Sequence, residues 1–385
     1  MIKLVNDTIK QHDIDSLTEW LASGPKLTKG PYTKQFEKEW SDWLGVKNSI
    51  FVNSGSSANL IMAGVLLESG KLKNKKIIVP AVSWATTVAP FMQLGFDPIL
   101  CDCDKTNFGL DVNHLKELVR IHDPGAVIIV HVLGWSNSMD EITEICNKNN
   151  MLLLEDCCEA HGCEYKGQKV GTFGHMSSFS YYYGHHMSTI EGGMVCTSDT
   201  ELRDLSLMLR SHGWIRDLDP KDQKECIKRY NIDEFNSLYF FVKPGYNVRS
   251  TDLNAFIGLR QLQSLDKNIA KRQQVMYEYW ERLSGKVWFQ NDKNCSFPSP
   301  LAFGMIHKNK LKIAKDLMEN NIECRPLICG SIGRHPFWQE KYPNKSLNNL
   351  PTADYIHDFG MYLPCHQDMK TDEVLLICDI IERNL

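Results

Sequence analysis

Lysine is missing from one long stretch of this chain: between Lys169 and Lys221 there is none. The stretch contains Gly184-His185-His186-Met187-Ser188-Thr189-Ile190-Glu191-Gly192-Gly193. No primary amine is therefore carried there to bond covalently with a carbonyl group. Other absences narrow the class. No apolar run approaches the length of a membrane helix, so no membrane partner is expected. Neither sign of charge dominates. Lys and Arg number 43 against 47 Asp and Glu, a net charge of −4, so no nucleic-acid partner is expected. Cysteines cluster at Cys101 with Cys103 and at Cys157, Cys158 and Cys163. None forms a Cys-x-x-Cys pair or a cluster-type run, so no metal is expected and the thiols read as reduced. Gly55-Ser56-Ser57 is not followed by Gly-Lys-Ser/Thr and is not a P-loop. Met1–Asp7 has no apolar export core, so a cytoplasmic enzyme is expected.

What is present is ordinary in bulk and informative in order. The chain has 385 residues, 43% apolar and 23% charged, which suits a globular protein with room for two domains. Phe36, Trp40, Trp43 and Leu44 recur at helical spacing and predict a helix over 33–45, capped by Thr33. A second helix is expected over 57–68. Short apolar strands are expected at 76–80, 98–101, 126–130 and 151–156. Helices near 111–121 and 138–149 separate them. That alternation predicts a mostly parallel sheet covered on both faces, an α/β fold. Ser178–Tyr183 reads as a strand running into a tight turn and a second strand. After about residue 250 the pattern changes to a long polar helix over 251–283, strands near 301–306 and a helix near 308–320. The expected division is therefore 1–250 and a smaller α+β domain over 251–385. Residues 214–238 lack periodicity and read as a long loop.

Several residues could carry chemistry. Gly55, Ser56 and Ser57 open a helix, where backbone amides and hydroxyls can cradle a phosphate or simply cap the helix. Asp156 ends an apolar strand, at the sheet edge where ligands bind. A carboxylate there can pair with a protonated ring nitrogen or cap a turn. Glu159 follows three residues later. Trp84 lies just past a strand end and can stack on a flat ligand or pack in the core. His185 and His186 are adjacent, so on extended backbone they face opposite ways and only one can enter a site. An imidazole there can move a proton near neutral pH. His212 lies in Arg210-Ser211-His212-Gly213-Trp214. Asn247 and Arg249 lie in Pro244-Gly245-Tyr246-Asn247-Val248-Arg249, where they can contact phosphate or be surface chemistry. Arg325 can bind an anion or form a structural ion pair.

The order of these pieces is more specific than any one. Ser54-Gly55-Ser56, Val79-Pro80-Ala81-Val82-Ser83-Trp84, Leu154-Glu155-Asp156, His185-His186, Glu191-Gly192-Gly193, Ser211-His212-Gly213-Trp214 and Tyr246-Asn247-Val248-Arg249 follow one another. The series resembles the sugar aminotransferase family of fold-type-I pyridoxal phosphate enzymes, which modify nucleotide-linked sugars. The resemblance runs from about Gly30 to the C-terminus. Most members carry lysine where His185 stands, and a histidine there resembles a small dehydratase branch. One form of that branch uses CDP-sugars and an iron–sulfur cluster. Without a cluster motif, the chain looks more like the GDP-sugar form.

The resemblance implies a sugar-nucleotide 3-dehydratase, a lyase, using pyridoxal 5′-phosphate and pyridoxamine 5′-phosphate with L-glutamate as amino donor. Its substrate would be a GDP-linked 4-keto-6-deoxy sugar. It implies that His185 moves the proton, Asp156 holds the ring nitrogen, Trp84 stacks and Glu159 lies near the ring hydroxyl. Gly55, Ser56, Ser57 and Ser180 would hold the phosphate. It also implies a homodimer with shared sites. Asn247 would reach the neighbouring cofactor, and His212 and Arg249 would face substrate. An aminotransferase of the same family and a non-catalytic binding protein are the alternatives. The first needs a lysine within reach, and none lies near the turn.

Overall fold

The computed structural model describes residues 1–343 and 349–385. Seven strands form its central sheet: β1 Asn48–Val52, β2 Lys76–Pro80, β3 Asp97–Cys101, β4 Ala126–Val130, β5 Leu152–Asp156, β6 Met176–Ser180 and β7 Gly193–Thr197. Their order is β1-β7-β6-β5-β4-β2-β3. Strands β3, β2, β4, β5 and β6 pair in parallel. Strand β7 runs antiparallel to both β6 and β1. Alternate residues of the same strands enter two cores. Ile77, Val79, Ile128 and Leu154 pack on one face. Ile78, Val127, Ile129 and Leu153 pack on the other. A sheet buried on both faces has no place for a polar row, which is why its strands read as continuous apolar runs.

The antiparallel β7 positions the site. Parallel neighbours need a crossover, but antiparallel ones can be joined directly. The chain therefore leaves β6 at Ser180 and turns through residues 181–192 beside the carboxyl end of β5. Tyr181 N–H donates to the Gly192 carbonyl and Thr189 N–H to the Tyr181 carbonyl, each at 2.9 Å, closing the turn on itself.

Helices between the strands cover the sheet, several with side-chain caps of the expected kind. Asp111, Asp199 and Thr251 accept from backbone N–H groups of the helices Val112–His122, Thr200–Arg210 and Asp252–Leu283. The last spans 32 residues and packs on the helices Pro31–Leu44 and Thr371–Glu382. Beyond it, Trp288–Phe289, Phe303–Ile306, Gly360–Leu363 and Arg325–Pro326 form a four-stranded antiparallel sheet in that order. No described helix is long and apolar enough to cross a membrane.

Some boundaries differ from expectation. The helix expected over 33–45 begins at Pro31, not after a Thr33 cap, and another, Gln11–Ala22, precedes it. Asp252 accepts from Gly30 N–H at 2.7 Å and from the Thr33 N–H and hydroxyl at 2.9 and 2.6 Å. The cap thus comes from far along the chain, where local pattern cannot show it. The sixth strand starts at Met176 and ends at Ser180, so Tyr181–Tyr183 already belong to the turn. The stretch over 214–238 holds the helices Pro220–Arg229 and Glu234–Ser237. Strand β1 and the helix Ala85–Gln93 were not expected.

Candidate active site

A cavity of about 820 Å³ opens at the carboxyl ends of β4, β5 and β6. Its floor is built from Gly55, Ser56, Asn59, Val130, Asp156, Cys158, Glu159 and Ser180. Tyr182, Tyr183, Gly184, His185 and Glu191 of the turn form one wall. Leu301, Ala302, Glu323, Arg325 and Tyr362 close another, joined by Lys3, Leu4 and Val5 from the start of the chain.

Asp156 is 3% exposed, and its charge is anchored. Asn59 Nδ2 and Thr87 Oγ1 both donate to its Oδ2 at 2.8 Å. Cys158 N–H donates to Oδ1 at 3.1 Å. Three donors fix the direction of the carboxylate. Asn59 is oriented in turn by the Ser178 hydroxyl, which donates to its Oδ1 at 2.6 Å.

The helix Gly55–Glu68 points its first turn into the cavity. Ser54 caps it by accepting from Ser57 N–H at 3.0 Å. Gly55 is required by space: a Cβ there would lie 2.5 Å from Ser180 Cβ and 2.9 Å from Cys158 Sγ. The unobstructed amides of that turn, with the Ser56 and Ser180 hydroxyls, suit an anion. Ser57 does not line the cavity; its N–H and hydroxyl both face Ser54. Trp84 does line it and is 56% exposed, so an indole face is open to a flat ligand.

His185 and His186 enter different surroundings, although both lie in the turn after Ser180 and not on the extended backbone that was expected. His186 is fully buried, with Nε2 on the Ser299 carbonyl at 3.0 Å. His185 lines the cavity, and its Nδ1 faces the Cys158 carbonyl. A carbonyl accepts only, so Nδ1 carries the hydrogen and Nε2 keeps its lone pair. Surrounding protein pushes the imidazole pKa down to about 4, although the Cys158 carbonyl and Asp156 oppose this. The ring is therefore neutral near pH 7 and ready to accept a proton. Glu159 shows the opposite shift. Burial raises it to about 7 against the Leu133 N–H that donates to its Oε2 at 2.8 Å.

Three expected residues lie elsewhere. His212 and Asn247 are exposed and Arg249 is half-buried. Ser211 pairs with Asn247, and Val52 with Arg249. Arg249 Nη1 donates to the Ser211 hydroxyl at 3.0 Å. They share one surface strip beside β1, and none lines the cavity of its own chain.

Sequence reasoning missed Asn59, Thr87, Cys158, Tyr182, Tyr362 and the Lys3–Val5 segment. Asn59 lies one helical turn beyond Gly55, a spacing that could have found it. Lys3 gave no signal. It corrects the expectation that no lysine is near: the segment bearing it passes the turn, where a Cβ at Gly184 would lie 3.7 Å from Val5 Cγ1.

A model of the DegT/DnrJ/EryC1/StrS aminotransferase family matches residues 7–382. The GDP-4-keto-6-deoxy-D-mannose 3-dehydratase of Escherichia coli O55:H7 is 34% identical over 364 residues, covering 92% of this chain and 93% of the relative. That of Yersinia pseudotuberculosis is 31% identical over 388 residues, covering 99% of this chain and 98% of the relative. A crystal structure of GDP-4-keto-6-deoxymannose-3-dehydratase with a trapped PLP-glutamate geminal diamine superposes with TM-score 0.88 at 31% identity, covering 99% of this chain and 100% of the other.

Proposed function

This chain belongs to the DegT/DnrJ/EryC1/StrS aminotransferase family, and we propose that it is a pyridoxal-phosphate-dependent 3-dehydratase. Its substrate is a GDP-linked 4-keto-6-deoxy sugar, and L-glutamate supplies the amino group that recharges the cofactor. The observation that carries this reading is His185: a neutral imidazole with a free Nε2, at the turn where an amine is missing. The relatives support the substrate class through their names.

The cavity fits the cofactor. Asp156 offers an anchored carboxylate for a protonated ring nitrogen. Trp84 offers a ring face, and the Gly55 turn, with Ser56 and Ser180, offers a phosphate cradle. The bound cofactor supplies an electron sink for the carbon that loses its proton. The protein's part is positional and acid–base. His185 Nε2 takes a proton, and the resulting imidazolium delivers one to the departing 3-hydroxyl. Nδ1 stays on the Cys158 carbonyl and keeps the ring aimed. Asp156, fixed by Asn59 and Thr87, keeps the ring nitrogen charged. Overall the sugar nucleotide loses one oxygen to become the 4-keto-3,6-dideoxy form, and L-glutamate, which supplies the two electrons, leaves as 2-oxoglutarate and ammonia.

Asn247, His212 and Arg249 then serve the cavity of a second copy, in a homodimer. Their exposure on a strip outside their own cavity supports this. The change of pattern near residue 250 marks the boundary between the cofactor domain and the smaller one. A biosynthetic enzyme of nucleotide sugars works in the cytoplasm.

The test is the mass of the sugar nucleotide after incubation with pyridoxal phosphate, L-glutamate and GDP-4-keto-6-deoxymannose. Loss of one oxygen with release of ammonia is expected. An added amino group favours the second reading, amino transfer through Lys3, because Lys3 lines the same cavity. Borohydride treatment of the loaded protein separates the two directly. No covalent cofactor is expected, and a label on Lys3 establishes amino transfer instead.

A further inference from the structure

Arg272, on the helix Asp252–Leu283, is fully buried, yet no described carboxylate lies within ion-pair distance. Its partners are all carbonyls. Nη1 donates to Leu301 at 2.9 Å and to Cys365 at 3.1 Å. Nη2 donates to the His185 carbonyl at 3.3 Å. Burial pulls the guanidinium down to about 10, so it is still charged at neutral pH. A buried cation without a counter-ion is costly, and here the offset comes from carbonyls of three separate segments. A buried apolar side chain of the same length would serve packing better.

The surroundings suggest what the charge does. Two further imidazoles, His161 and His186, lie behind the cavity wall that carries His185. The His161 ring is 5.1 Å from His186 and 6.2 Å from His185. His161 is fully buried. Burial holds all three below the usual histidine range, and Arg272 pushes each further the same way. The groups facing His185 are Asp156 and Cys158 from the β5 end, Tyr182 and His186 from its own turn, His161, and Arg272. Asp156 alone among them carries a negative charge, and it favours the imidazolium. Burial is the main opponent of that protonation, and Arg272 acts in the same direction as a smaller contribution.

We propose that Arg272 is a positioning residue for His185. It clamps the turn through the His185 carbonyl and so holds the ring on the side of the cavity where Asp156 lies, with a cation behind it. The same fork ties the turn to Leu301, which lines the cavity, and to Cys365, which follows the strand Gly360–Leu363. The inference rests on His185 as the proton-transfer group.

Two variants test it, Arg272→Met and Arg272→Lys, read by histidine-ring NMR on the cofactor-free protein and by the pH profile of kcat/KM. In the native protein the His185 ring stays neutral to below pH 5. In Arg272→Met its midpoint rises, and the acid limb of kcat/KM moves up with it. In Arg272→Lys the charge survives but the fork does not. The midpoint then stays low while kcat falls about tenfold or more. A folded Arg272→Met with an unmoved His185 midpoint overturns the proposal, even if His185 is the base. If Arg272→Met does not fold, Arg272→Lys decides: a raised midpoint or an undiminished kcat overturns it. Full turnover in His185→Ala instead removes the functional reading itself, whatever Arg272 does.

Discussion

The floor of the cavity and the strip beside β1 are built in opposite ways. On the floor, Asp156 collects three donors from its own chain, and His185 is held by the Cys158 and Arg272 contacts. Every partner there is supplied by one copy of the protein. On the strip, His212 and Asn247 are exposed, and the Arg249 guanidinium donates to the Ser211 hydroxyl. Yet both regions come from the same run of family-like motifs. The difference teaches that a motif can be locally ordered without being locally employed. The floor determines what chemistry is possible, whereas the strip determines whether a second copy is needed for it.

The largest expected effect tests the floor. His185→Ala lowers turnover by about 10³-fold, the scale of losing a positioned acid–base group, while pyridoxamine phosphate still binds. Steady-state rates and cofactor titration check both halves, and undiminished turnover removes His185 from the reaction. The next tests the strip. Asn247→Ala is expected to weaken cofactor retention and lower activity in its own right. Mixing inactive His185→Ala with Asn247→Ala then regains activity, because one site of each mixed dimer has both residues intact. For random reassortment the ceiling is about a quarter of native activity. No recovery, with mixed dimers present, means that the strip does not complete a neighbour's cavity and the comparison breaks.

Much of the architecture was legible because parallel strands buried on both faces cannot hide their apolar runs. Asp156 was legible for the same reason, as an acid ending such a run. Trp84 and the Gly55 turn followed from their places at strand and helix ends. What stayed hidden depends on distant chain. Asp252 caps a helix more than two hundred residues earlier, and the Lys3 segment is held at the cavity by residues 321–323, more than three hundred residues later. Arg272 looked like one more charge on a polar helix. Its burial follows from the packing of that helix against the turn and the C-terminal sheet, which no periodicity reveals.

The smallest effect sharpens the claim that the floor is complete in one copy. Glu159 ordinarily titrates near 4.5 but is raised to about 7, chiefly by burial, with Asp156 adding to the shift. The folded state thus keeps a proton that the unfolded chain has already released between those values. Stability contributed by the neutral acid is full below pH 4.5 and is lost as pH rises towards 7. At 1.36 kcal/mol per unit the loss is at most about 3 kcal/mol. Glu159→Gln keeps the shape and a neutral head, so this slope should vanish. Urea unfolding of cofactor-free protein at pH 4.5, 6 and 7.5 measures it. Because the partners of Glu159, including the Leu133 amide, lie in its own chain, the slope should be identical in Asn247→Ala. A slope that disappears when the strip is altered would place Glu159 under the control of the second copy, and the floor could no longer be called self-contained.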